Sequence, residues 1–204
     1  MARIDFWYDP ASSYSFLSAL RIEALAKDAG VEVAWRPFLL GPIFKEQGWT
    51  TSPFNLYPAK GRYMVRDIER VAASRGLGFR LPAIFPANSL KAARIALVGA
   101  EEGWIAPFTR AMFAAQFEQG ADIDDDQVLR RILDDLKLDA AVILSRTETP
   151  QLKQKLKDQT AEAARLGIFG APTFTVKGEI FWGDDRLEQA LDWAIREDQY
   201  SPAP

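Results

Sequence analysis

The chain has 204 residues, 48% apolar and 26% charged, with a net charge of -3. That supplies a substantial core for one domain, or for one domain with a large insertion. No apolar run reaches the ~18 residues that span a bilayer, and the charge balance lacks the clustered Lys and Arg that nucleic acid requires. With no Cys and no His, disulfides, thiolate or imidazole metal ligands, a protein thiol nucleophile and an imidazole base are all excluded. Catalysis has to rest on Ser, Tyr, Lys, Arg or carboxylates, or on a bound cofactor with its own reactive atom. The opening residues read as a strand where a secretory leader would place its apolar stretch, so the expected location is the cytoplasm.

Ile4, Phe6 and Tyr8 alternate with Asp5 and Trp7, the period of a strand. Phe16, Leu17, Leu20, Ala24 and Leu25 then follow helical spacing from Ser13 to about Lys27, and Gly30 stops that helix. Val31, Val33 and Trp35 alternate again before Pro37. The first forty residues therefore predict β-α-β, a parallel pair with a right-handed crossover. From Gly41 to Gly167 the sequence predicts turns and helices but no strand. The helices fall at about Lys60 to Arg75, from near Asn88, at Trp104 to Phe117, Asp126 to Leu136, Ala140 to Arg146, and Pro150 to Leu166. Thr149 and Pro150 suit a helix start as cap and first residue. The acidic run from Asp122 to Asp126 suits the positive end of another. Strands return at Pro172 to Val176 and Glu179 to Trp182 around a Lys177-Gly178 turn, and a last helix buries Leu187, Ala190, Leu191, Ala194 and Ile195. Ser201 to Pro204 reads as a loose tail.

This order is an α/β, thioredoxin-like fold interrupted after its second strand. Residues 1-40 and 167-204 form the thioredoxin-like part, and 41-166 form a large all-helical insertion domain. Such folds bring two loops together. The first is the turn from strand one into helix one, Asp9 to Ser15, where dithiol oxidoreductases carry Cys-x-x-Cys and this chain has Ser12-x-x-Ser15. A hydroxyl cannot cycle through a disulfide, so dithiol redox chemistry is excluded. What remains is a helix start with free N-H groups that suits an anion such as a thiolate, or a serine that only caps. The second loop, Gly167 to Phe174, carries Pro172 at the start of a strand. That proline marks an edge or, if its peptide is cis, leaves the Ala171 backbone able to pair with an extended ligand.

The segments Tyr8 to Leu17, Trp49 to Met64, Phe85 to Leu90, Gly167 to Phe174 and Phe181 to Leu187 together resemble the 2-hydroxychromene-2-carboxylate isomerase family, in order and over nearly the whole chain. That family is grouped with the kappa-class glutathione transferases and is similar to DsbA-type oxidoreductases. The resemblance implies glutathione as cofactor, a small aromatic substrate and a homodimer, while charge and apolar-run length predict no nucleic acid or membrane partner. It implies that Ser12 hydrogen-bonds the glutathione sulfur and that Ala171, before Pro172, pairs with the cysteinyl backbone. Ile168 would line the tripeptide, and Asp184 and Asp185 would hold its γ-glutamyl end. Asn55 and Lys60 fall in the substrate and glutathione segment, and Trp49 and Trp182 sit in motifs that border an aromatic substrate. Many relatives have Pro after the serine where this chain has Ser13, so two hydroxyls are eligible to face the sulfur. Plain alternatives stand beside these roles: Asp184 or Asp185 as helix caps, Lys60 as a solvated lysine, Trp49 and Trp182 as core. The implied reaction is interconversion of 2-hydroxychromene-2-carboxylate and trans-o-hydroxybenzylidenepyruvate by reversible thiolate addition. A kappa-like transferase, or a non-catalytic thioredoxin-like module that binds peptides or proteins, would share the same scaffold.

Overall fold

The computed structural model describes residues 2-49 and 51-196. The Ser201 to Pro204 tail lies outside the described residues. Strand β1 (Ala2–Tyr8) leads into helices α1 (Ser13–Ala19) and α2 (Ile22–Ala29), then strand β2 (Val31–Pro37). Strands β3 (Thr173–Val176) and β4 (Glu179–Trp182) come near the chain's end. The sheet order is β2-β1-β3-β4, with β1 and β2 parallel and the other pairs antiparallel. This is the thioredoxin-like sheet that the element order predicts.

One expected element is divided. The Ser13 to Lys27 helix breaks at Leu20 and Arg21, where Arg21 leaves helical geometry (φ -126°, ψ -19°). The apolar spacing continues across the break, because both short helices pack on one core, so periodicity alone does not reveal it. Side-chain alternation also misleads in β1. Trp7, on the face opposite Phe6, is only 2% exposed and packs with Phe38, Ile43, Ala163 and Ile168. β1 is a central strand with helices over both faces, and such strands lose their polar side.

Between β2 and β3 every regular element is helical among the described residues. The helices are α3 (Leu40–Glu46), α4 (Pro53–Leu56), α5 (Pro58–Ser74), α6 (Leu90–Glu102), α7 (Ile105–Phe117), α8 (Asp126–Asp135), α9 (Ala140–Arg146) and α10 (Pro150–Arg165). Thr149 caps α10 by accepting from the Leu152 N-H, with Pro150 in the first turn, and Asp125 caps α8 by accepting from Gln127 N-H. Both local expectations hold because a cap needs only its own next turn. At the other end, Lys177 and Gly178 make the two-residue turn of the β3-β4 hairpin, and α11 (Leu187–Ile195) closes the fold.

The helical segment is fused to the sheet through aromatic packing. Phe6 stacks on Tyr8 and Phe174, Phe16 meets Phe113 and Phe117, and one continuous buried cluster runs from Ile4 and Phe6 through α6 and α7. Each fully buried Phe stabilises the fold by roughly 1.5-3 kcal/mol. The Tyr8 hydroxyl lies 2.7 Å from Thr109 Oγ1, so a polar atom carried into this core is satisfied from α7. Burial pushes the Tyr8 phenol up, and it stays neutral. The effect is to hold the C-terminal end of β1, and the loop beyond it, in a rigid seat.

Candidate active site

The loop Asp9 to Ser12 is tied by a carboxylate to which the sequence reading assigns no role. Asp9 is 5% exposed. Its Oδ1 accepts from the Ala11 N-H and its Oδ2 from the Leu40 N-H, both at 2.8 Å, with a further bond from Ser89. Burial outweighs these donors and holds its carboxyl above the usual range. Asp9 thus joins the end of β1, the start of α3 and the residue before α6. An Asp-Pro pair directly after a strand is the available sequence signal, since Asp readily turns back on its own backbone.

Ser12 follows as the N-cap of α1. Its backbone N-H donates to Asp9 O at 2.8 Å, and its Oγ accepts from the Ser15 N-H at 3.2 Å. The same hydroxyl donates to the carbonyl of Ala171 at 3.0 Å, across 159 residues of sequence. The Ala171-Pro172 peptide is cis. No backbone hydrogen bond to the Ala171 N-H occurs among the described residues. Capping and convergence of the two loops are therefore properties of one side chain. Ser13, the other eligible hydroxyl, is 3% exposed, whereas Ser12 keeps part of its surface open.

The remaining predicted residues separate. Ile168 is 2% exposed and packs among Trp7, Phe38, Ile43 and Ala163, so its side chain does not line an open groove; only its main chain is left for a ligand. Asp184 is 6% exposed and both oxygens of its carboxylate are held, by Ser18, Arg21 and Arg75. It is neither an open carboxylate nor the cap of α11, whose first turn has no side-chain cap. Asp185, next in sequence, is 73% exposed. Its Oδ1 curls back so closely over Gly183 that a Cβ there would lie 2.6 Å away, and Gly183 has φ 111°, backbone open in practice only to glycine.

Trp182 is half exposed and meets Phe169 edge to face at 4.9 Å. Its indole lies against Gly170, where a Cβ would come within 2.3 Å of Nε1. An aromatic wall thus flanks the Ala171 backbone. On the helical side, Trp49 is half-buried against Phe44, Asn55 donates to Thr51 Oγ1, and Lys60 is exposed at the start of α5. No hydrogen bond joins any of these three to Ser12 or Ala171 among the described residues. α5 is held beside α1 by the Tyr14 hydroxyl, which donates to Asp67 Oδ2 at 2.9 Å. Burial and that bond to Asp67 both push the Tyr14 phenol up. No group of residues able to hold a metal ion occurs among the described residues, and no helix there is long and apolar enough to cross a membrane.

Comparison with known proteins bears on the family and the fold. A 2-hydroxychromene-2-carboxylate isomerase of Sphingobium xenophagum is 29% identical over 187 residues, covering 91% of this chain and 94% of its own length. Glutathione S-transferase kappa 1 of Homo sapiens is 26% identical over 199 residues, covering 91% and 87%. A solved structure of 2-hydroxychromene-2-carboxylate isomerase superposes with a TM-score of 0.85 at 24% identity, over 95% of this chain and 94% of the other. The pattern of the DsbA-like thioredoxin domain matches residues 3–193. With its four-stranded sheet, its helical segment between β2 and β3, and serines in place of the redox cysteines, the chain belongs to the DsbA-like thioredoxin domain family.

Proposed function

We propose that the protein is a glutathione-dependent isomerase of the 2-hydroxychromene-2-carboxylate type, working in the cytoplasm as a homodimer. The observation that carries this reading is the Ser12 hydroxyl 3.0 Å from Ala171 O, a protein hydroxyl set at a helix start beside a backbone edge, in a chain without a thiol of its own. The residues suit a thiol-bearing tripeptide. Ser12 offers a hydroxyl, the first turn of α1 offers N-H groups that lack intrahelical partners, Ala171 offers an N-H, and Asp185 offers an exposed carboxylate for an ammonium group. The relative named glutathione S-transferase kappa 1 supports the same cofactor.

Glutathione, held by Ser12, Ala171 and Asp185, would supply a sulfur nucleophile for reversible addition to the conjugated substrate. The protein's part is positional and electrostatic. Ser12 turns its proton from Ala171 O toward the sulfur while its lone pair keeps the Ser15 N-H, and the start of α1 favours negative charge there. Ala171 fixes the cysteinyl backbone as an added strand would. Trp182 and Trp49 border the aromatic ring, and Lys60 and Asn55 orient the substrate carboxylate and phenol.

The test is an ultraviolet assay of hydroxychromene carboxylate interconversion with and without glutathione, with free thiol counted throughout. Conversion that requires glutathione and leaves its concentration unchanged is the expected result. Conversion indifferent to glutathione sinks the reading. Consumption of glutathione in step with turnover favours a kappa-like transferase, the second reading, which the 26% identity to the human enzyme keeps close. No affinity for glutathione would instead favour a non-catalytic peptide-binding module.

A further inference from the structure

Asp184 has more donors than a loop carboxylate needs. Oδ1 accepts from Ser18 Oγ at 2.8 Å and Arg21 Nε at 3.3 Å, and Oδ2 accepts from Arg75 Nη2 at 2.6 Å. Its main-chain carbonyl accepts from Arg21 Nη2 at 2.6 Å, and the same guanidinium reaches Glu188 on α11. Ser18 belongs to α1, Arg21 to the break between α1 and α2, and Arg75 caps the C-terminal end of α5. One buried carboxylate therefore gathers the sulfur-side helix, the helical segment and the turn that follows β4. The break that apolar periodicity does not show is where Arg21 leaves the helix to reach this group.

We propose that Asp184 is a positioning residue for glutathione: held by Ser18, Arg21 and Arg75, it sets the Gly183–Asp185 turn so that Asp185 alone presents its carboxylate to the γ-glutamyl ammonium. The inference rests on the glutathione reading above and assigns the two adjacent acids different work. A carboxylate whose two oxygens are both held by guanidinium groups and a hydroxyl, and which is 6% exposed, is closed off from a ligand. Its neighbour, one peptide away, is 73% exposed, with Oδ1 lying over Gly183 and Oδ2 3.5 Å from the exposed Arg186 guanidinium. Loss of the Asp184 anchor leaves Arg75 without this counter-charge and Arg21 with Glu188 alone, and frees the turn, so its effect on glutathione runs through Asp185.

Calorimetric titration of the full chain with glutathione, and with cysteinylglycine, which lacks the γ-glutamyl residue, tests this. Asp185→Asn is expected to raise the glutathione Kd about tenfold, the scale of one lost hydrogen bond between charged groups, with Tm unchanged. Asp184→Asn is expected to lower Tm and raise the glutathione Kd as well. The double variant should bind no more weakly than Asp185→Asn, and every variant should bind cysteinylglycine as the wild type does. Should Asp184→Asn not fold, Ser18→Ala and Arg75→Met each remove one donor contact and carry the same comparison. A wild-type Kd in the Asp184 or donor variants overturns the proposal, as does a double variant weakened by the product of the single effects, which would mean direct contact. Equal weakening of cysteinylglycine overturns it too. A wild type that binds neither thiol overturns the glutathione reading and this inference together, whereas the preceding results overturn this inference alone.

Discussion

The two sides of the proposed site are built differently. The sulfur side, Asp9 to Ser15 with Ala171 and Pro172, is held by a buried carboxylate, a capping hydroxyl and the aromatic core beneath β1. The opposite side includes Trp49, the four-residue helix α4 and the first turns of α5, and Asn55, Tyr57, Lys60 and Tyr63 are exposed. Fixed donors stabilise developing charge best when they need not reorganise, while exposed side chains adjust to the shape of a substrate. On the proposed reading, the first region serves the chemistry and the second the choice of substrate.

The sharpest way to break this contrast is Ser12→Ala. Turnover should fall by roughly 10 to 1000-fold, the scale of removing one stabilising donor, and the bound thiol should titrate at higher pH. Loss of the cap costs only about 1 kcal/mol of stability, so thermal unfolding separates the two roles. Ser13→Ala, at a buried hydroxyl, should leave both quantities near wild type; the reverse outcome would move the sulfur contact to Ser13.

Asp9→Asn should have the next largest effect. Both carboxylate oxygens accept backbone N-H groups, and an amide must turn its NH2 against one of them, which costs about 1-3 kcal/mol and loosens the loop that carries Ser12. The wild type adds a pH signature. Because burial raises the Asp9 pKa in the folded state, the native protein holds this proton more tightly than the unfolded chain. The Asp9 contribution to stability is therefore greatest below the unfolded carboxylate range, and it declines as pH rises through the folded pKa. Activity should run the other way on the acid side, since a protonated oxygen no longer accepts its N-H as well. Parallel Tm and turnover profiles from pH 3.5 to 7, with Asp9→Asn as control, check this; profiles that coincide in wild type and variant would remove Asp9 from the account.

Smaller effects are expected on the opposite side. Lys60→Ala and Asn55→Ala should raise the substrate KM several-fold with kcat little changed, as removal of contacts made equally in ground and transition states does. A fall in kcat with unchanged KM would place either residue in the chemistry. Gly170→Ala should shift the Trp182 indole, which lies where the new Cβ would stand, and alter preference among aromatic substrates more than affinity for glutathione. Tryptophan fluorescence and a substrate panel read the two effects.

Much of the architecture was legible in the amino-acid order because its causes are local. Alternating Ile4, Phe6 and Tyr8, the Thr149-Pro150 start and the Lys177-Gly178 turn each act within one or two turns of chain, and each element forms where its own residues direct. The absence of Cys and His likewise settles which chemistry the protein cannot perform unaided. The approach of Ser12 to Ala171 was foreshadowed by the order of elements and by family resemblance, yet a 3.0 Å bond across 159 residues depends on how the sheet is assembled. The unequal fates of Asp184 and Asp185 were beyond the sequence altogether. Two adjacent, chemically identical side chains carry the same propensity; one is buried and the other open because Arg75, 109 residues away, and Arg21 converge on only one of them. Burial of a charge is decided by the partners that the folded chain brings to it.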